Sequence, residues 1–222
     1  MCTLNCFKWV GANLSVDEVI GKRVIEIGAY DVNGSLRYVV EMLKPAKYLG
    51  VDIIPGPGVD LICPAEKLVE KFGQESFDVV IVTCVLEHIR DWRSAVSNIK
   101  RICSPNGIML IFVPSNYFYH SFPNDFWRYS QNDIRYIFAD CEILNIGEDP
   151  NRPSNVYAKI KKQTNFREID LSGYPLYSIV VNRKVKDITG QDLNSLYFKF
   201  VVFKSRARES ILNIGHSIIS RL

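Results

Sequence analysis

The stretch Val24-Ile-Glu-Ile-Gly28-Ala-Tyr-Asp-Val-Asn-Gly34 carries the fold prediction. The segment from Lys22 to Gly28 contains the β-branched residues Val24, Ile25 and Ile27, which is typical of a buried strand. A glycine at a strand end lets the chain turn sharply and brings backbone N–H groups close to a ligand. The stretch therefore predicts a strand that leads directly into a ligand-binding turn.

Strand-like and helix-like segments alternate on both sides of this stretch. Further strands are predicted at Tyr48–Val51, Val59–Ile62, Phe77–Val82, Ile108–Val113, Glu142–Ile146, Val156–Ile160 and Tyr177–Val181. Helices are predicted at Asn33–Lys44, Pro64–Phe72, Arg90–Cys103 and from an N-cap at Ser130 to Phe138. We interpret Pro114–Tyr129 as a long aromatic loop. The alternation predicts an α/β protein with a doubly wound, mostly parallel, seven-stranded sheet of the Rossmann-like type.

The end of the chain departs from this alternation. We expect residues 1–165 to form the ligand-binding domain, and residues 166–222 to form a C-terminal extension with a strand and an amphipathic helix or helical hairpin. Residues 161–222 contain 11 Lys/Arg and 5 Asp/Glu, so this part is basic. Its segment Leu193–Phe203 is apolar and must be covered. Packing on its own domain, a homodimer partner and a membrane surface are the alternatives, in that order.

An aspartate stands at the end of the second predicted strand. Ligands of doubly wound sheets bind outside the carboxyl ends of the strands. Asp52 follows Gly28 by 24 residues, a place and spacing at which a carboxylate can accept both hydroxyls of a ribose. The pair predicts an adenosine-type ligand. A tight turn followed by a solvated aspartate is the alternative.

The turn itself separates two nucleoside cofactors. A dinucleotide site needs the third glycine of G-x-G-x-x-G so that a helix N-terminus can hold the pyrophosphate. This turn lacks that spacing, and Tyr30 stands at the second glycine position. The carboxylate of Glu26 suits a ligand with an ammonium and a sulfonium group better than a diphosphate. These features favour S-adenosylmethionine.

Five segments in order resemble class I S-adenosylmethionine-dependent methyltransferases of the broad family related to ubiquinone-biosynthesis O-methyltransferases. They are Val24–Gly34, Tyr48-Leu-Gly-Val-Asp52, Phe77-Asp-Val-Val-Ile81, Leu86-Glu-His-Ile-Arg-Asp91 and Ser104-Pro-Asn-Gly107, within residues 20–147. A sixth segment, His120-Ser-Phe-Pro-Asn-Asp125-Phe-Trp-Arg128-Tyr-Ser130, resembles the H-x-x-P-x-D-x-W-R segment of one subgroup.

The resemblance implies roles for particular residues in holding the cofactor. It places Glu26, Gly28, Ala29 and Tyr30 on the methionine side, Asp52 at the ribose, Ile53, Ala65 and Glu66 at the adenine, and Cys84, Val85 and Leu86 under the sulfonium. Two positions depart from the family pattern. Tyr30 replaces a second glycine, and Pro64 replaces the common acidic residue at the adenine amino group.

Four polar residues are candidates for acceptor chemistry. A hydroxyl acceptor benefits from a base, and His88 and His120 both fall on loops at the ligand side. For His88, a hydrogen bond to the backbone at a helix entry is an equal alternative. Asp125 and Arg128 suit an ion pair that shapes the loop, with a grip on an anionic acceptor as the other interpretation. We also expect aromatic residues of the loop to wall the acceptor pocket. They are Tyr117, Phe118, Tyr119, Phe122, Phe126, Trp127 and Tyr129.

Composition narrows the class of protein. The net charge of +3 does not by itself indicate a nucleic-acid partner, and none is expected. Cys2 and Cys6 lack a second ligand pair, so we predict no metal. Scattered cysteines suit a reducing compartment, and neither a signal pattern nor a transmembrane run is present. We therefore expect a cytoplasmic protein.

The function expected from these features is methyl transfer to a small-molecule or glycan acceptor, at a hydroxyl. The position after the fourth strand has Thr83-Cys-Val-Leu86 in place of an Asn/Asp-Pro-Pro-Tyr sequence, which disfavours methylation of a base amine. A protein or RNA methyltransferase that docks through the basic region is the alternative, with contacts from Lys184, Lys186, Lys199, Lys204, Arg206 and Arg208. A scaffold protein that keeps the fold without the activity is the third hypothesis.

Overall fold

Most predicted elements are present in the structure, a computed structural model. It describes residues 4–32, 34–120, 124–148 and 154–219, with side chains for residues 6–32, 34–120, 124–148 and 154–208. Cys2, Asn33 and Phe122 lie outside the described residues. The strands are β1 (Arg23–Ile27), β2 (Lys47–Asp52), β3 (Leu61–Ile62), β4 (Phe77–Thr83), β5 (Cys103–Pro114), β6 (Trp127–Arg128), β7 (Glu142–Glu148), β8 (Asn155–Lys161), β9 (Leu176–Ser178) and β10 (Arg183–Val185). The α-helices are α1 (Leu4–Asn13), α2 (Val16–Val19), α3 (Arg37–Glu41), α4 (Leu68–Phe72), α5 (Trp92–Ile102), α6 (Gln131–Ile137), α7 (Gly190–Leu193) and α8 (Leu196–Ile219).

Seven strands form the main sheet in the order β3-β2-β1-β4-β5-β8-β7. The pairs from β3 to β5 are parallel, and β8 runs antiparallel to both of its neighbours. The strand order reverses direction between β1 and β4, because chain connections run outward from this point on both sides. The prediction of a doubly wound, mostly parallel, seven-stranded sheet is confirmed.

Alternate side chains of the central strands enter two separate cores. Val80 and Val82 of β4 belong to the larger core, whereas Val79 and Ile81 belong to the smaller one. This follows from the two-residue period of a strand, which sends successive side chains to opposite faces. Both faces of β4 are therefore buried, which explains the uninterrupted apolar run in its sequence.

A second sheet of three short antiparallel strands, β10-β9-β6, was not predicted. Its strand β6 lies inside the segment expected to be a loop. The predicted strand Tyr177–Val181 is wrong beyond Ser178, because residues 179–182 form a turn in which Asn182 has a φ of 55°. The chain reverses there and returns as β10.

Helix bounds differ from the predictions at several ends. The first crossover helix, α3, is shorter than Asn33–Lys44, and Lys44 has a left-handed φ of 57°. The segment after Pro64 begins as a 3-10 turn, Ala65–Lys67, before α4. The capping box of Ser130 and Asp133 at the start of α6 is confirmed.

The C-terminal extension packs against the same larger core as the sheet. Leu171, Leu176, Ile188 and Phe198 are members of that core. Arg93 of α5 donates hydrogen bonds of 2.8 Å to the carbonyls of three extension residues, Leu171, Tyr174 and Lys186. The division of the chain after residue 165 stays a prediction.

One face of α8 remains exposed. Leu196, Phe200 and Phe203 are 62–86% exposed, whereas Val201 and Val202 pack against the core. The expected homodimer through this extension stays a prediction. Within the described ranges, none of the helices combines the length and the apolarity that a bilayer crossing requires.

Candidate functional site

A cavity of about 710 Å³ opens at the carboxyl ends of β1, β2 and β4. It lies where the strand order reverses, the expected position of a ligand in this type of sheet. The predicted site residues that line it are Glu26, Gly28, Ala29, Tyr30, Asp52, Ile53, Ala65, Cys84, Val85, His88 and His120. Side chains from five separate segments thus meet around one space.

Gly28 makes the turn that forms one wall of the cavity. Its φ is +85°, and a β-carbon there would lie 2.1 Å from Val85 Cγ2 and 3.0 Å from the carbonyl oxygen of Thr83. Its N–H donates to the Val51 carbonyl of the next strand at 2.9 Å. Only glycine fits both this conformation and this close approach.

Asp52 joins the ends of the first two strands. Its Oδ2 accepts a hydrogen bond of 3.2 Å from the backbone N–H of Tyr30, and its Oδ1 accepts one of 2.7 Å from the backbone N–H of Ile53. The ring of Tyr30 packs directly over Gly56 of the Pro-Gly loop, where a β-carbon would lie 2.0 Å from Tyr30 Cε2. The tyrosine at the second glycine position is therefore accommodated by a glycine in the facing loop.

Glu26 places a buried carboxyl group at the cavity wall. Its side chain accepts a hydrogen bond from the Tyr48 hydroxyl and one of 3.4 Å from the Thr83 hydroxyl. Burial raises the pKa of Glu26 to about 7, although these two hydrogen bonds act in the opposite direction. The group can therefore change its charge near neutral pH.

The segment after β4 forms the floor of the cavity. Cys84 has a φ of 51°, a left-handed conformation that is uncommon for a residue other than glycine. Such conformations cluster at functional sites. Val85 follows, and its side chain fills the space beside Gly28.

Two residues expected at the cofactor do not line the cavity. Leu86 is fully buried in the larger core. Glu66 lies on the same 3-10 turn as Ala65, but of these two residues Ala65 alone lines the cavity. Other lining residues were missed by the sequence analysis. They are Ile27, Val32, Gly34, Ser35, Ile54, Cys63, Thr83 and Ile89.

Asp125 and Arg128 form a buried ion pair and do not line the cavity. Two hydrogen bonds of 2.5 and 2.6 Å join the guanidinium to the carboxylate. Arg128 also donates to the carbonyls of Tyr117 at 2.8 Å and Phe118 at 3.0 Å. Asp125 has a lowered pKa despite its burial, because Arg128 and His120 donate to it. The geometry fits the interpretation as a pair that shapes the loop.

The aromatic residues of this loop do not wall the cavity as expected. Tyr119, Phe126, Trp127 and Tyr129 are buried within the larger core instead. Three hydrogen-bond donors within residues 126–129 bind backbone carbonyls of the turn after β4. The N–H of Phe126 donates to Glu87 at 2.8 Å, the indole of Trp127 to Ile89 at 3.0 Å and the hydroxyl of Tyr129 to Leu86 at 3.0 Å.

This turn presents His88 and Glu87 beside His120. Both histidines line the cavity, and their rings meet edge to face with centroids 5.0 Å apart. Glu87 lies behind them and is 1% exposed. Its Oε1 is 3.7 Å from His88 Nε2 and 3.9 Å from His120 Nε2. Glu87 belongs to the Leu86–Asp91 motif, but no sequence pattern predicts its contact with His120.

The sheet and its cavity define a nucleoside-binding protein of the doubly wound α/β class. A family model described as a methyltransferase domain matches residues 13–142, more than half of the chain. The chain therefore belongs to the methyltransferase domain family. It is an enzyme of the class I, S-adenosylmethionine-dependent type, with S-adenosylmethionine as its cofactor.

Several solved methyltransferase structures share this fold. An S-adenosylmethionine-dependent methyltransferase from Mesorhizobium loti is 15% identical, with a TM-score of 0.54 over 70% of this chain and 96% of that chain. The 1,6-didemethyltoxoflavin-N1-methyltransferase of Burkholderia thailandensis, solved with its substrate and S-adenosylhomocysteine, is 14% identical, with a TM-score of 0.54 over 71% and 78% of the two chains.

A third structure is a complex that contains the Haloferax volcanii Trm112 methyltransferase activator and a methyltransferase. The matched chain of this complex is 15% identical to the present chain, with a TM-score of 0.57 over 74% of this chain and 91% of that chain. At these identities the likeness concerns the fold. A comparison with functionally curated proteins gives no match.

The residues around the cavity fit S-adenosylmethionine. The volume lies within the range of small-molecule sites, and the lining is mainly apolar with a few polar groups. Gly28 lines the cavity and has no side chain, so a ligand can approach its backbone closely. The carboxyl groups of Glu26 and Asp52 offer partners for a cationic group and for hydroxyls.

Proposed function

We propose that this protein methylates a hydroxyl group of a small-molecule or glycan acceptor. The observation that carries the proposal is the presence of His88 and His120 in the same cavity as Gly28 and Asp52. S-adenosylmethionine supplies an activated methyl group whose sulfonium is already a good leaving group. The chain then has to bind and orient the cofactor and the acceptor and to exclude water. Positioning of this kind provides most of the rate of such a transfer.

Within this proposal the cofactor lies along the three central strands. Asp52 accepts the ribose hydroxyls, Glu26 faces the methionine ammonium, and Ile53, half exposed at the cavity edge, packs against the adenine. Gly28, Ala29, Tyr30, Ala65, Cys84 and Val85 complete this part of the wall. Each role follows from position in the cavity and from the chemistry of the side chain.

The two histidines occupy the acceptor side. His88 Nδ1 faces the carbonyl of Asn124, and His120 Nδ1 lies 2.9 Å from Asp125 Oδ2. Since both partners only accept, each Nδ1 donates, and in the neutral imidazole each Nε2 then carries the lone pair. An Nε2 in this state can accept the proton of an acceptor hydroxyl.

The docking alternative, a protein or RNA acceptor, has less support. Lys184 pairs with the Asp133 carboxylate at 2.8 Å, and Arg208 lies over the ring of Phe118 at 3.5 Å. At least two of the six basic side chains proposed to dock are thus engaged within the chain. We also propose that the protein belongs to the H-x-x-P-x-D-x-W-R subgroup. A cytoplasmic location is a further proposal, because Cys63, Cys103 and Cys141 are unbridged thiols, which suits a reducing compartment.

Methyl transfer from labelled cofactor to paired acceptors tests the proposal. Each glycan or small molecule is compared with its counterpart that lacks a single hydroxyl. We expect label in the parent compound and none in the deoxy compound. Labelling of RNA or protein, with no labelled small molecule or glycan, would support the docking alternative instead.

A further inference from the structure

The side chains of Glu87, His88 and His120 bring three potential metal ligands together at the acceptor side of the cavity. One ligand atom from each residue lies within 4.8 Å of the other two. Two histidine nitrogens and one carboxylate oxygen are the ligand set of many catalytic zinc sites and of mononuclear non-haem iron sites.

The hydrogen bonds of the two histidines direct both Nδ1 protons away from the cluster. Both Nδ1 atoms donate outward, to the Asn124 carbonyl and to the Asp125 carboxylate. In the neutral form of both rings, the Nε2 lone pairs face Glu87 Oε1, at 3.7 and 3.9 Å. Three acceptors that converge in this way are stabilised by a cation between them.

Glu87 supplies a second and independent observation. Its carboxylate is 1% exposed, and its Oε2 has no hydrogen-bond partner. Within the described residues the Glu87 carboxylate has no lysine or arginine within salt-bridge distance. A buried carboxylate without compensation is costly, and a divalent cation removes that cost.

We propose that Glu87, His88 and His120 form a binding site for a divalent transition metal of the zinc class. The inference rests on the proposed function and deepens it. With both Nε2 lone pairs on the metal, the bound cation and not a histidine would activate an acceptor hydroxyl, at a coordination position open to the cavity that both histidines line. With metal–ligand bonds of about 2.1 Å, ligand atoms lie about 3.3 Å apart, so each side chain moves by less than about 1 Å.

The surroundings of the cluster have the features of a metal site. Asp125 and the Asn124 carbonyl orient the two imidazoles, as outer partners of metal-bound histidines do. Arg128 in turn fixes Asp125. The turn that carries Glu87 and His88 is held by the hydrogen bonds from residues 126–129 described above. Such support keeps ligands in place before a metal binds.

Metal titration of the full chain tests the proposal without any methyl transfer. We expect one Co²⁺ to bind per chain with visible d–d absorption, and Zn²⁺ to displace it. Glu87→Gln and His120→Ala should each weaken the affinity for Co²⁺ by about tenfold or more. Glu70→Gln, at an exposed helix position, and His216→Ala, at the third histidine, are the controls and should leave it unchanged.

Two further measurements keep the result unambiguous. X-ray absorption of the zinc-loaded wild-type protein should show imidazole and oxygen ligands without sulfur. Asp52→Ala should keep the affinity for Co²⁺ even where it loses S-adenosylhomocysteine, which separates this site from the proposed cofactor site. Absence of Co²⁺ and Zn²⁺ binding, sulfur ligation, or equal affinity in Glu87→Gln would each overturn the proposal.

Discussion

Val85 occupies the space in which a side chain at Gly28 would have to begin. A β-carbon at Gly28 would lie 2.1 Å from Val85 Cγ2, and the Gly28 backbone already has a φ of +85°. The end of β1 and the turn after β4 are therefore fitted to each other across the cavity. A change at Gly28 must displace the floor, rotate the strand end, or both.

We predict that Gly28→Ala weakens S-adenosylhomocysteine binding by tenfold or more. The left-handed conformation alone costs an alanine roughly 1–2 kcal/mol, and the contact with Val85 adds to it. Isothermal titration calorimetry measures the affinity. Gly147→Ala is the control, because nothing lies within 4 Å of a β-carbon at Gly147. Equal affinities of the two variants would contradict the prediction.

Loss of the Asp52 carboxylate should weaken cofactor binding through the ribose. We expect Asp52→Ala to reduce S-adenosylhomocysteine affinity by about tenfold or more, the order of a lost charge-assisted pair of contacts. Asp52 also accepts from the Tyr30 backbone, so a purely structural loss has to be distinguished. An analogue without ribose hydroxyls serves this purpose. The variant and the wild type should bind it with similar affinity, and a tenfold difference there would assign the effect to the turn.

Cofactor affinity should increase with pH across neutrality because of Glu26. Burial raises the pKa of Glu26 to about 7, so the unliganded group is largely protonated at pH 6 and ionised at pH 8. The ionised carboxylate suits the positive charges of S-adenosylmethionine. We therefore expect a severalfold rise in affinity from pH 6 to 8 by calorimetry, and a flatter profile in Glu26→Gln.

The raised pKa of Glu26 should make the unliganded protein less stable as pH rises, whereas it increases cofactor affinity. Because the folded pKa lies above the ordinary value of 4.5, the folded state holds a proton that the unfolded state has lost. This contribution to stability is complete below pH 4.5 and is lost as pH rises through 7. In urea unfolding, the free energy of unfolding of Glu26→Gln relative to that of the wild type should therefore be higher at pH 8 than at pH 5. A constant difference between the two proteins would contradict this expectation.

The parts of the fold that the sequence predicted well are those with local signals. The strand β4 has an uninterrupted apolar run after Asp78, and β1 has the β-branched residues Val24, Ile25 and Ile27. Gly28 and Asp52 stand at strand ends that chain order alone identifies. The small sheet was missed because its pairings are distant in sequence: Trp127 pairs with Ser178 in strands of only two or three residues. Such short strands have no period that a sequence pattern can reveal.

Most residues predicted to hold the cofactor line the cavity, whereas most of those predicted near the acceptor do not. Aromatic residues of the loop were expected to face the acceptor, yet Trp127 and Tyr129 are fully buried and hold the turn after β4. Glu87 was overlooked because its role depends on His120, 33 positions away along the chain. Contacts of this kind arise from tertiary packing, which the spacing of residues within one motif does not contain.

Loss of Arg128 from its ion pair with Asp125 should be strongly destabilising. Both side chains are at most 4% exposed, and removal of the guanidinium leaves the buried Asp125 carboxylate without its two charged hydrogen bonds. We expect Arg128→Ala to lower the free energy of unfolding by about 3–5 kcal/mol, measured by urea denaturation. Arg101→Ala is the control, since Arg101 lies 3.9 Å from Glu168 with 47% of its side chain exposed, and such pairs contribute about 0–1 kcal/mol. If the two variants lose equal stability, the pair does not anchor the loop.

Because Arg128 also holds the carbonyls of Tyr117 and Phe118, Arg128→Ala should in addition increase proteolysis within residues 115–120 under native conditions, whereas Arg101→Ala should not.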